Sequence, residues 1–274
     1  MLVIYHADCL DGFAAAYAAW TVYGDMARYV PAHYGDPLPE IGPAEEVLVV
    51  DFSWPRDTIE RIRAEGRRVC VIDHHKTAAA ALAGLADCVF DMERSGCTLA
   101  WQHLRGRKPV PQLLLYVEDR DLWRWALPGT REVCLGLQLV PLRFQEWDNV
   151  VHGADDALRR LREAGTAIQA YQERRMMPDL LALSRRRVLD GFRCREVNSP
   201  VLASELGGAL AKQSAAEGGA PVGVVWSVTA DGRVRVSLRS TGDFDVSAIA
   251  AAHGGGGHRN AAGFTVAAGE WIRG

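Results

Sequence analysis

Three short apolar runs of this sequence each end in aspartate or histidine, the residue types that bind metal ions or exchange protons. They are His6, Asp8 and Asp11 in "LVIYHADCLDG", Asp51 in "VLVVDFS", and Asp73, His74 and His75 in "VCVIDHH". Carboxylates that gather at one place cannot all be ionised without compensation, because each unpaired buried charge costs several kcal/mol. Divalent cations are the simplest compensation, so the pattern predicts a metal site.

The types and number of these residues indicate which ions the site would take. Histidines and aspartates without a thiolate form a mixed imidazole and oxygen set, which suits Mn²⁺, Mg²⁺, Co²⁺ or Fe²⁺ better than a structural zinc ion. Six or more ligands exceed the need of one ion, and two ions about 3.5 to 4 Å apart, bridged by a carboxylate, are the usual machinery for hydrolysing phosphate esters. A further acidic group, Glu118, Asp119 and Asp121 in "LLLYVEDRDLWRW", could complete the ligand set.

Each of these residues also has a purely structural interpretation. An aspartate after a strand is often only the N-cap of the next helix. Two consecutive histidines point to opposite sides of an extended chain, so one of His74 and His75 could face the core. Three such groups in succession favour the metal site over these alternatives.

A second candidate site is the glycine run in "AAHGGGGHRNAAGF". Consecutive glycines let backbone N–H groups approach an oxyanion, and we expect the small residues after the run to begin a helix whose N-terminus adds partial positive charge. The run matches neither the Walker pattern nor the dinucleotide fingerprint, and alone it could equally be a flexible turn. Nearby basic residues favour an anion site formed by Arg239, Gly255, Gly256, Gly257, His258 and Arg259.

The residues at the ends of the apolar runs require elements that bring them together. In about the first 125 residues, β-branched runs alternate with Ala-rich or charged amphipathic stretches, which is typical of an α/β domain with a parallel sheet and flanking helices. The predicted strands are "LVIYH", "ARYVPA", "EEVLVVDF", "RRVCVIDHH" and "ADCVFDM", and the predicted helices are "DGFAAAYAAWTVYG", "RDTIERIRAEG" and "KTAAAALAGL". The carboxyl ends of parallel strands lie at one edge of a sheet, where open α/β folds bind ligands, so we expect the acids to converge.

Two further segments complete the predicted architecture. Residues 154–190 are helical in period and rich in arginine, with a break at Pro178, and we interpret them as a connector whose arginines lie on a solvated helix face. The later "GAPVGVVWSVTADGRVRVSLRS" has two alternating runs around Asp231-Gly232, which predicts a two-residue hairpin in a smaller α+β domain. Alternation places Val234, Val236 and Leu238 on one face and Arg233, Arg235, Ser237 and Arg239 on the other.

The composition limits the remaining classes of protein. The 274 residues have ordinary apolar and charged fractions and a net charge of −3, which excludes a disordered or fibrous chain and makes any phosphate site a local concentration of positive charge. The six cysteines are widely spaced without a C-x-x-C pair, so we expect reduced, structural thiols. The N-terminal "MLVIYHAD" has no basic segment and an apolar run too short for export or a membrane span, so we expect a cytoplasmic protein without membrane contact.

Taken together, the motifs resemble those of the DHH phosphoesterase superfamily, in particular members that join a DHH domain to a C-terminal DHHA1 domain, such as RecJ-type exonucleases and nano-RNase or oligoribonuclease-type phosphodiesterases. "HADCLDG" is similar to the family's first motif, "VVDFS" to the second, "IDHH" to the third, "VEDRD" to the fourth, and "SLRS…GGGGHRNAAGF" to the DHHA1 signature. The resemblance covers nearly the whole chain. It implies a DHH catalytic domain with its helical connector at 1–185 and a DHHA1 substrate-binding domain at 192–274.

The resemblance also implies a role for each matching residue. Asp51 bridges two Mn²⁺-like ions, Asp73 orients His74, and His75 contacts the scissile phosphate. One ion is bound by His6, Asp8 and Asp51, and the other by Asp11, Asp51, His74 and Asp119. Asp121 could replace Asp119, and the short spacing between Asp8 and Asp11 leaves open which ion each of them binds. Arg239 and the loop of Gly256, Gly257 and His258 hold the remote phosphate or sugar end of the substrate.

We therefore expect a hydrolytic enzyme that uses two divalent ions, Mn²⁺ or alternatively Mg²⁺ or Co²⁺, to cleave short oligonucleotides or linear dinucleotides such as pGpG and pApA to mononucleotides. The same chemistry would also remove a phosphate from 3′-phosphoadenosine 5′-phosphate or from short polyphosphate. A nucleotide-binding regulator without hydrolysis and a structural metalloprotein are the alternatives from other classes. The sequence does not fix the oligomeric state, and a homodimer is one option.

Overall fold

The structure is a computed structural model that describes residues 1–273, with side chains described as far as residue 271. The chain forms two compact units, Met1–Ala170 and a second unit that begins at Tyr171. The domain boundary predicted between residues 185 and 192 lies inside the second of these units. None of the described helices combines the length and the apolar composition that a membrane span requires.

A five-stranded parallel sheet forms the centre of the first unit and confirms the predicted α/β class. Its strands are β1 (Leu2–His6), β2 (Arg28–Ala32), β3 (Val47–Val50), β4 (Val69–Asp73) and β5 (Cys88–Phe90). Their order across the sheet is β2-β1-β3-β4-β5, and every neighbouring pair is parallel. β1, β3 and β4 are therefore adjacent, and their carboxyl ends lie at one edge of the sheet.

Helices cover both faces of this sheet. The helices of this part of the chain are α1 (Leu10–Tyr23), α2 (Arg56–Ala64), α3 (Lys76–Ala81), α4 (Gly96–Arg105), α5 (Gln112–Asp121), α6 (Thr130–Leu137), α7 (Phe144–His152) and α8 (Ala154–Tyr171). Val3 of β1 belongs to the same apolar cluster as Phe13 of α1, whereas the next residue, Ile4, belongs to a cluster with Ile59 of α2. Burial on both faces explains why these strands are near-continuous apolar runs.

The second unit is built on a six-stranded mixed sheet, as the predicted α+β class requires. Its elements are α9 (Met177–Ala182), β6 (Arg185–Leu189), β7 (Phe192–Asn198), α10 (Ala203–Ala216), β8 (Val222–Val228), β9 (Arg233–Ser240), α11 (Val246–Ala252), β10 (Gly256–His258), β11 (Ala261–Ala267) and α12 (Ala268–Arg273). The order is β10-β11-β9-β8-β7-β6, with β7 and β8 parallel and the other neighbours antiparallel. Val234, Val236 and Leu238 are fully buried, which confirms the predicted alternation along β9.

The helical connector predicted for residues 154–190 was wrong in its last part. α8 passes through a π-helical turn at Gln172–Met176 into α9, where Pro178 lies in the first turn and its missing N–H is not needed. The arginine-rich residues that follow form β6, which pairs with β7 through the two-residue turn Asp190-Gly191. Both turn residues have positive φ, 48° and 83°, as a hairpin turn of this length requires.

The turn between β8 and β9 also differs from the prediction. The backbone N–H of Thr229 donates to the carbonyl of Arg233 at 2.8 Å. Residues 230–232 therefore form a three-residue turn instead of the predicted two-residue turn at Asp231-Gly232. Gly232 has a φ of +78°, the left-handed conformation that closes a turn of this length.

Candidate metal centre

The candidate site lies where three neighbouring strands end. β1 ends at His6, β3 is followed directly by Asp51, and β4 ends at Asp73. The strand order reverses between β1 and β3, because the chain places β2 on one side of β1 and the later strands on the other. Parallel α/β sheets bind their ligands in the crevice at this kind of reversal. The fold thus brings the polar ends of the three runs to one place.

Asp51 is the central residue of the site. It is only 1% exposed, and its φ of +54° lies in the left-handed region that residues other than glycine seldom adopt. Its backbone N–H donates to the carbonyl of Ile72 at 2.9 Å, so pairing with β4 helps to hold this conformation. Residues held in such strained conformations cluster at functional sites.

The carboxylate of Asp51 faces a histidine on each side. Oδ2 lies 3.6 Å from Nδ1 of His6. Oδ1 lies 3.1 Å from Nε2 of His74. The two oxygens of one carboxylate therefore face two different groups of side chains, which is the position expected of a bridging ligand.

Two groups of potential metal ligands lie on opposite sides of this carboxylate, besides one that joins Asp51 to Asp73, His74 and His75. Within each group the ligand atoms lie within 4.8 Å of one another. The first group is His6, Cys9 and Asp51, and the second is Asp11, His74 and Asp121. In the second group, Nε2 of His74 is 3.6 Å from Oδ2 of Asp11 and 3.4 Å from Oδ2 of Asp121. The Cys9 thiol also lies in the first group, although the sequence predicted a ligand set without sulfur.

Unpaired buried atoms show that these groups suit a cation. Among the side chains of residues 1–271, Nδ1 of His6 and the Oδ2 atoms of Asp51 and Asp121 have no hydrogen-bond partner. Buried polar atoms in proteins are nearly always paired, so these atoms require a partner that the described residues do not supply. Imidazole nitrogen and carboxylate oxygen are the donors that divalent ions bind. The residues present therefore fit a pair of divalent cations.

The pKa values of the site reflect burial and crowding of charge. Burial, and then the carboxylates of Asp51 and Asp121, raise the pKa of Asp11 well above its ordinary value. Burial, and then the charge of Asp51, also raise the pKa of the Cys9 thiol. Burial would lower the pKa of His74, but its hydrogen bond with Asp51 and the surrounding aspartates raise it to about 10. A bound cation would replace the proton that His74 carries.

The N-terminus of α4 supports Asp11. The Asp11 carboxylate accepts hydrogen bonds from the Ser95 hydroxyl at 2.7 Å and from the backbone N–H groups of Gly96 at 2.6 Å and Cys97 at 3.1 Å. The positive end of the helix dipole thus faces this carboxylate. These three residues were not predicted, although small residues before an apolar helix, "SGCTLAW", are a signal for close approach.

Asp73 contacts the ring of His75 rather than that of His74. Its Oδ1 accepts from Nδ1 of His75 at 2.7 Å and from the backbone N–H groups of His74 at 2.7 Å and His75 at 3.3 Å. The prediction that Asp73 orients the His74 ring is corrected by this geometry, because the two successive side chains leave the backbone in different directions. Burial would lower the pKa of His75, but the charge of Asp73 raises it.

Asp8, a predicted metal ligand, is not brought into the cluster. Its side chain is 79% exposed, and its carboxylate lies 3.5 Å from Nε2 of His33. Asp8 has a φ of +52° in the turn between β1 and α1, and after this turn Cys9 lies beside Asp51. Because of this turn, Cys9 lies beside Asp51 and the expected Asp8 does not.

Asp119, another predicted ligand, also lies outside the cluster. Its carboxylate accepts hydrogen bonds from the backbone N–H groups of Ala126 at 2.8 Å and Leu127 at 3.1 Å and from the Thr130 hydroxyl. Positions 119 and 121 of α5 point about 200° apart, since each helical residue turns by about 100°. Asp119 therefore organises the loop after α5, and Asp121 faces His74.

Glu118, the third acid of this segment, stabilises the start of α4. Its carboxylate accepts from the backbone N–H of Ser95 at 3.1 Å and from the Thr98 hydroxyl. Glu118 therefore satisfies helix-end donors and is not a member of either ligand group.

The glycine run of the second unit forms a hairpin instead of the predicted helix N-terminus. Gly254 follows α11 with a φ of +75°, and β10 then pairs antiparallel with β11. A Cβ on Gly255 would lie 2.1 Å from the carbonyl oxygen of Gly263, and one on Gly257 would lie 2.5 Å from that of Ala261. The glycines permit this close packing of backbones, and the helix predicted after the run was wrong.

Arg239 and His258 lie on one face of the second sheet. Ala261 of β11 pairs with Arg239 of β9 on one side and with His258 of β10 on the other, and directly paired residues point to the same face. Arg239 also donates to the hydroxyl of Ser204 in α10 at 2.7 Å. Arg259, by contrast, has an exposed side chain paired with a surface aspartate. Substrate binding by these residues stays a prediction.

Comparison with known proteins identifies part of the second unit. Residues 202–272 match the family model of the DHHA1 domain. An uncharacterized protein of Acanthamoeba polyphaga mimivirus is 29% identical over 289 residues, which cover 96% of this chain and 66% of the viral protein. The chain thus spans slightly less than two thirds of the length of this curated relative. The DHHA1 match confirms the predicted C-terminal DHHA1 region.

Three solved structures resemble the chain along most of its length. A pGpG-specific phosphodiesterase from Vibrio cholerae has a TM-score of 0.48 at 12% identity and covers 99% of this chain and 95% of its own. An exopolyphosphatase-related protein from Bacteroides fragilis has a TM-score of 0.48 at 12% identity, with 96% and 85% covered. An uncharacterized protein from Helicobacter pylori has a TM-score of 0.46 at 15% identity, with 97% and 92% covered. These similarities assign no activity to this chain.

Proposed function

We propose that this protein, whose residues 202–272 match the DHHA1 family model, is a phosphoesterase. It would cleave short oligonucleotides or linear dinucleotides to mononucleotides with divalent metal ions. The observation that carries the proposal is the position of Asp51, whose carboxylate oxygens lie 3.6 Å from His6 and 3.1 Å from His74. A carboxylate with a ligand group on each side suits a pair of ions, and such pairs serve many enzymes that hydrolyse phosphate esters.

The side chains on either side of Asp51 would hold the two ions. His6 and Asp51 would bind one ion, and Asp11, Asp51, His74 and Asp121 the other, with Asp121 in place of Asp119. Nitrogen and oxygen donors of this kind suit Mn²⁺, with Mg²⁺ or Co²⁺ as alternatives. When bound, such ions lower the pKa of water and neutralise the charge that develops on a phosphoryl group.

His75 would stabilise charge on the substrate phosphate. Its Nδ1 faces Asp73 at 2.7 Å, which fixes the ring and favours its protonated form. A protonated imidazole beside the ligand groups can donate a hydrogen bond to a phosphoryl oxygen. Both residues are buried, so this contact is shielded from bulk water and strengthened. His75 would act most strongly when negative charge increases in the transition state.

The second unit would bind the end of the substrate that is not cleaved. Arg239 and His258 share one face of its sheet, and a guanidinium group matches the geometry of a phosphate. The net charge of −3 gives the chain no general attraction for long nucleic acids. An anchor made of a few polar side chains suits a terminal phosphate or sugar, as in pGpG or pApA.

A hydrolysis panel tests this proposal. The purified full chain is given Mn²⁺ and, separately, pGpG, pApA, oligonucleotides of increasing length, 3′-phosphoadenosine 5′-phosphate and polyphosphate. We expect kcat/KM to be highest for the dinucleotides and to fall with length. A preference for polyphosphate or for the bisphosphorylated nucleoside would replace the proposed substrate, and binding of pGpG without turnover would contradict hydrolysis. Asp51→Asn is the control without turnover, because asparagine tolerates the left-handed backbone at this position.

A further inference from the structure

We propose that the thiolate of Cys9 is a ligand of the ion on the His6 side of Asp51. A sulfur ligand would make this half of the centre selective for softer ions such as Zn²⁺, Fe²⁺ or Co²⁺. The inference rests on the metal centre of the proposed function, but it does not depend on the substrate.

The position of Cys9 directs its sulfur to the site. Cys9 lies between β1 and α1 and is the N-cap of α1, where serine, threonine or aspartate usually accepts a hydrogen bond from the helix backbone. The Cys9 side chain makes no such bond. Its sulfur lies within 4.8 Å of a ring nitrogen of His6 and of a carboxylate oxygen of Asp51. The thiol therefore belongs to the ligand group and not to the helix cap.

Two unpaired atoms mark a ligand position beside this sulfur. Nδ1 of His6 and Oδ2 of Asp51 lie 3.6 Å apart and have no hydrogen-bond partner in the described part of the chain. Asp51 is 1% exposed, so solvent does not satisfy its oxygen. Two atoms that bind one ion at about 2.0–2.2 Å are separated by roughly 3–3.6 Å, close to the observed distance. These atoms are placed as ligands of one ion, with the Cys9 sulfur as the third.

Other residues that could supply this third ligand are engaged elsewhere. Asp8, the acid that the motif offers, is 79% exposed and faces away toward His33. The buried thiols of Cys97 and Cys134 donate to backbone carbonyls at 3.6 and 3.4 Å. Cys9 is therefore the residue of the β1–α1 turn that completes the group around His6.

A thiolate would change which ions the centre prefers. Sulfur is a soft donor that favours Zn²⁺ over Mn²⁺ and Mg²⁺. When the metal–sulfur bond forms, the thiol transfers its proton to solvent, so each ion bound here releases one proton from Cys9. The opposite group, Asp11, His74 and Asp121, has no sulfur and keeps a preference for harder ions. The two halves of the centre would then take different ions.

Cobalt spectroscopy tests the inference independently of activity. The full chain is freed of metal with a chelator and titrated with Co²⁺, because a cobalt–thiolate bond gives a near-ultraviolet charge-transfer band that nitrogen and oxygen ligands do not give. We expect the band in the wild type and in Cys70→Ser, a control that removes a half-buried thiol of β4. Cys9→Ser should lack the band and bind Zn²⁺ about tenfold or more weakly. Serine is a favoured N-cap, so this variant should fold.

The outcomes separate this inference from the proposed function. Cys9→Asp should bind two Mn²⁺ ions and should lack the band when it is titrated with Co²⁺, because a carboxylate replaces the thiolate. A wild type that binds Co²⁺ without the band, or a Cys9→Ser variant that keeps it, would overturn the assignment of Cys9. If the band is present but no ion supports phosphoester hydrolysis, the proposed function fails while the ligand assignment stands. A chain that binds no Co²⁺ contradicts both.

Discussion

Gly96 lies so close to Asp51 that a Cβ on the glycine would be 2.5 Å from the Cβ of the aspartate and 2.6 Å from its Oδ1. The start of α4, which donates hydrogen bonds to Asp11, therefore also limits where the Asp51 carboxylate can lie. Asp51 is held in its left-handed conformation between this glycine and its pairing with β4. The placement of the Asp51 carboxylate thus depends on a residue without a side chain.

Replacing Gly96 by alanine should disturb the metal centre. The added methyl group would displace the Asp51 carboxylate, so we expect Gly96→Ala to weaken Mn²⁺ binding and to lower kcat/KM by about 10- to 100-fold. Titration calorimetry and steady-state kinetics measure the two effects. Gly208→Ala is the matched control, because a Cβ there meets nothing within 4 Å and alanine should stabilise α10 by about 0.5–1 kcal/mol. Unchanged Mn²⁺ affinity in Gly96→Ala would refute the link between Gly96 and Asp51.

Asp121 and Asp119 should respond differently to replacement by asparagine. Oδ2 of Asp121 is unpaired and 3.4 Å from His74, so Asp121→Asn should weaken Mn²⁺ binding about tenfold or more with little change in stability. Asp119 accepts hydrogen bonds from the loop after α5, so Asp119→Asn should lower the free energy of unfolding by about 1–3 kcal/mol and preserve metal binding. Calorimetric titration and urea denaturation distinguish the two effects. The reverse pattern would return Asp119 to the ligand set.

The stability of the metal-free protein should fall as pH rises from 7 to 10. Despite burial, the aspartates around His74 raise its folded-state pKa to about 10, compared with an ordinary value of 6.5. A raised pKa adds stability that is complete below about pH 6.5 and is lost as the pH rises through about 10. Urea denaturation in the presence of a chelator measures this decline, which should be smaller in His74→Gln. Equal pH dependence of the free energy of unfolding in the two proteins would contradict the raised pKa of His74.

Arg239→Ala should raise KM for pGpG by about tenfold or more, because a charged hydrogen bond to the remote end of the substrate is lost. The effect on a small generic phosphodiester should be much weaker, since that compound does not reach the anchor. Steady-state kinetics with both substrates give the comparison. Arg233→Ala is the control, because Arg233 lies on the same face of β9 but is exposed and donates to the carbonyl of Thr265. Equal changes in KM for both substrates would count against the anchor.

The convergence of His6, Asp51 and His74 could be predicted because parallel strands end at one edge of a sheet. The apolar runs identified the strands. The polar residue at the end of each run lies at the carboxyl end of its strand, beside the crevice. The alternation along β9 was predicted for a similar reason, since a strand with one buried face repeats every two residues. These predictions depend only on local period and on the order of the elements.

The positions of the other site residues could not be predicted, because they depend on helix rotation, turn conformation and distant contacts and not on the repeat of apolar residues. Asp119 and Asp121 differ by about 200° on a helix whose rotation is set by tertiary packing. Cys9, and not Asp8, lies beside Asp51 because of a single left-handed residue in a turn. Gly96 approaches Asp51 from an element 45 residues further along the chain, and a sequence pattern does not report such a distant contact.

The arginines of β6 show how composition alone can mislead. "SRRRVLDGFRCREV" suits a charged helix as well as a strand, and the prediction extended the preceding helix into it. Pairing with β7 decides the outcome, because Arg185 and Arg187 both contact the buried carboxylate of Glu196. The Asp190-Gly191 turn was the local signal for this hairpin.

Anomalous diffraction from crystals of the Mn²⁺-loaded protein shows whether Asp51 lies between two ions. We expect two manganese peaks about 3.5–4 Å apart, one on each side of the Asp51 carboxylate, with His6 beside one and His74 beside the other. A single peak, or two peaks that do not share Asp51, would contradict the account.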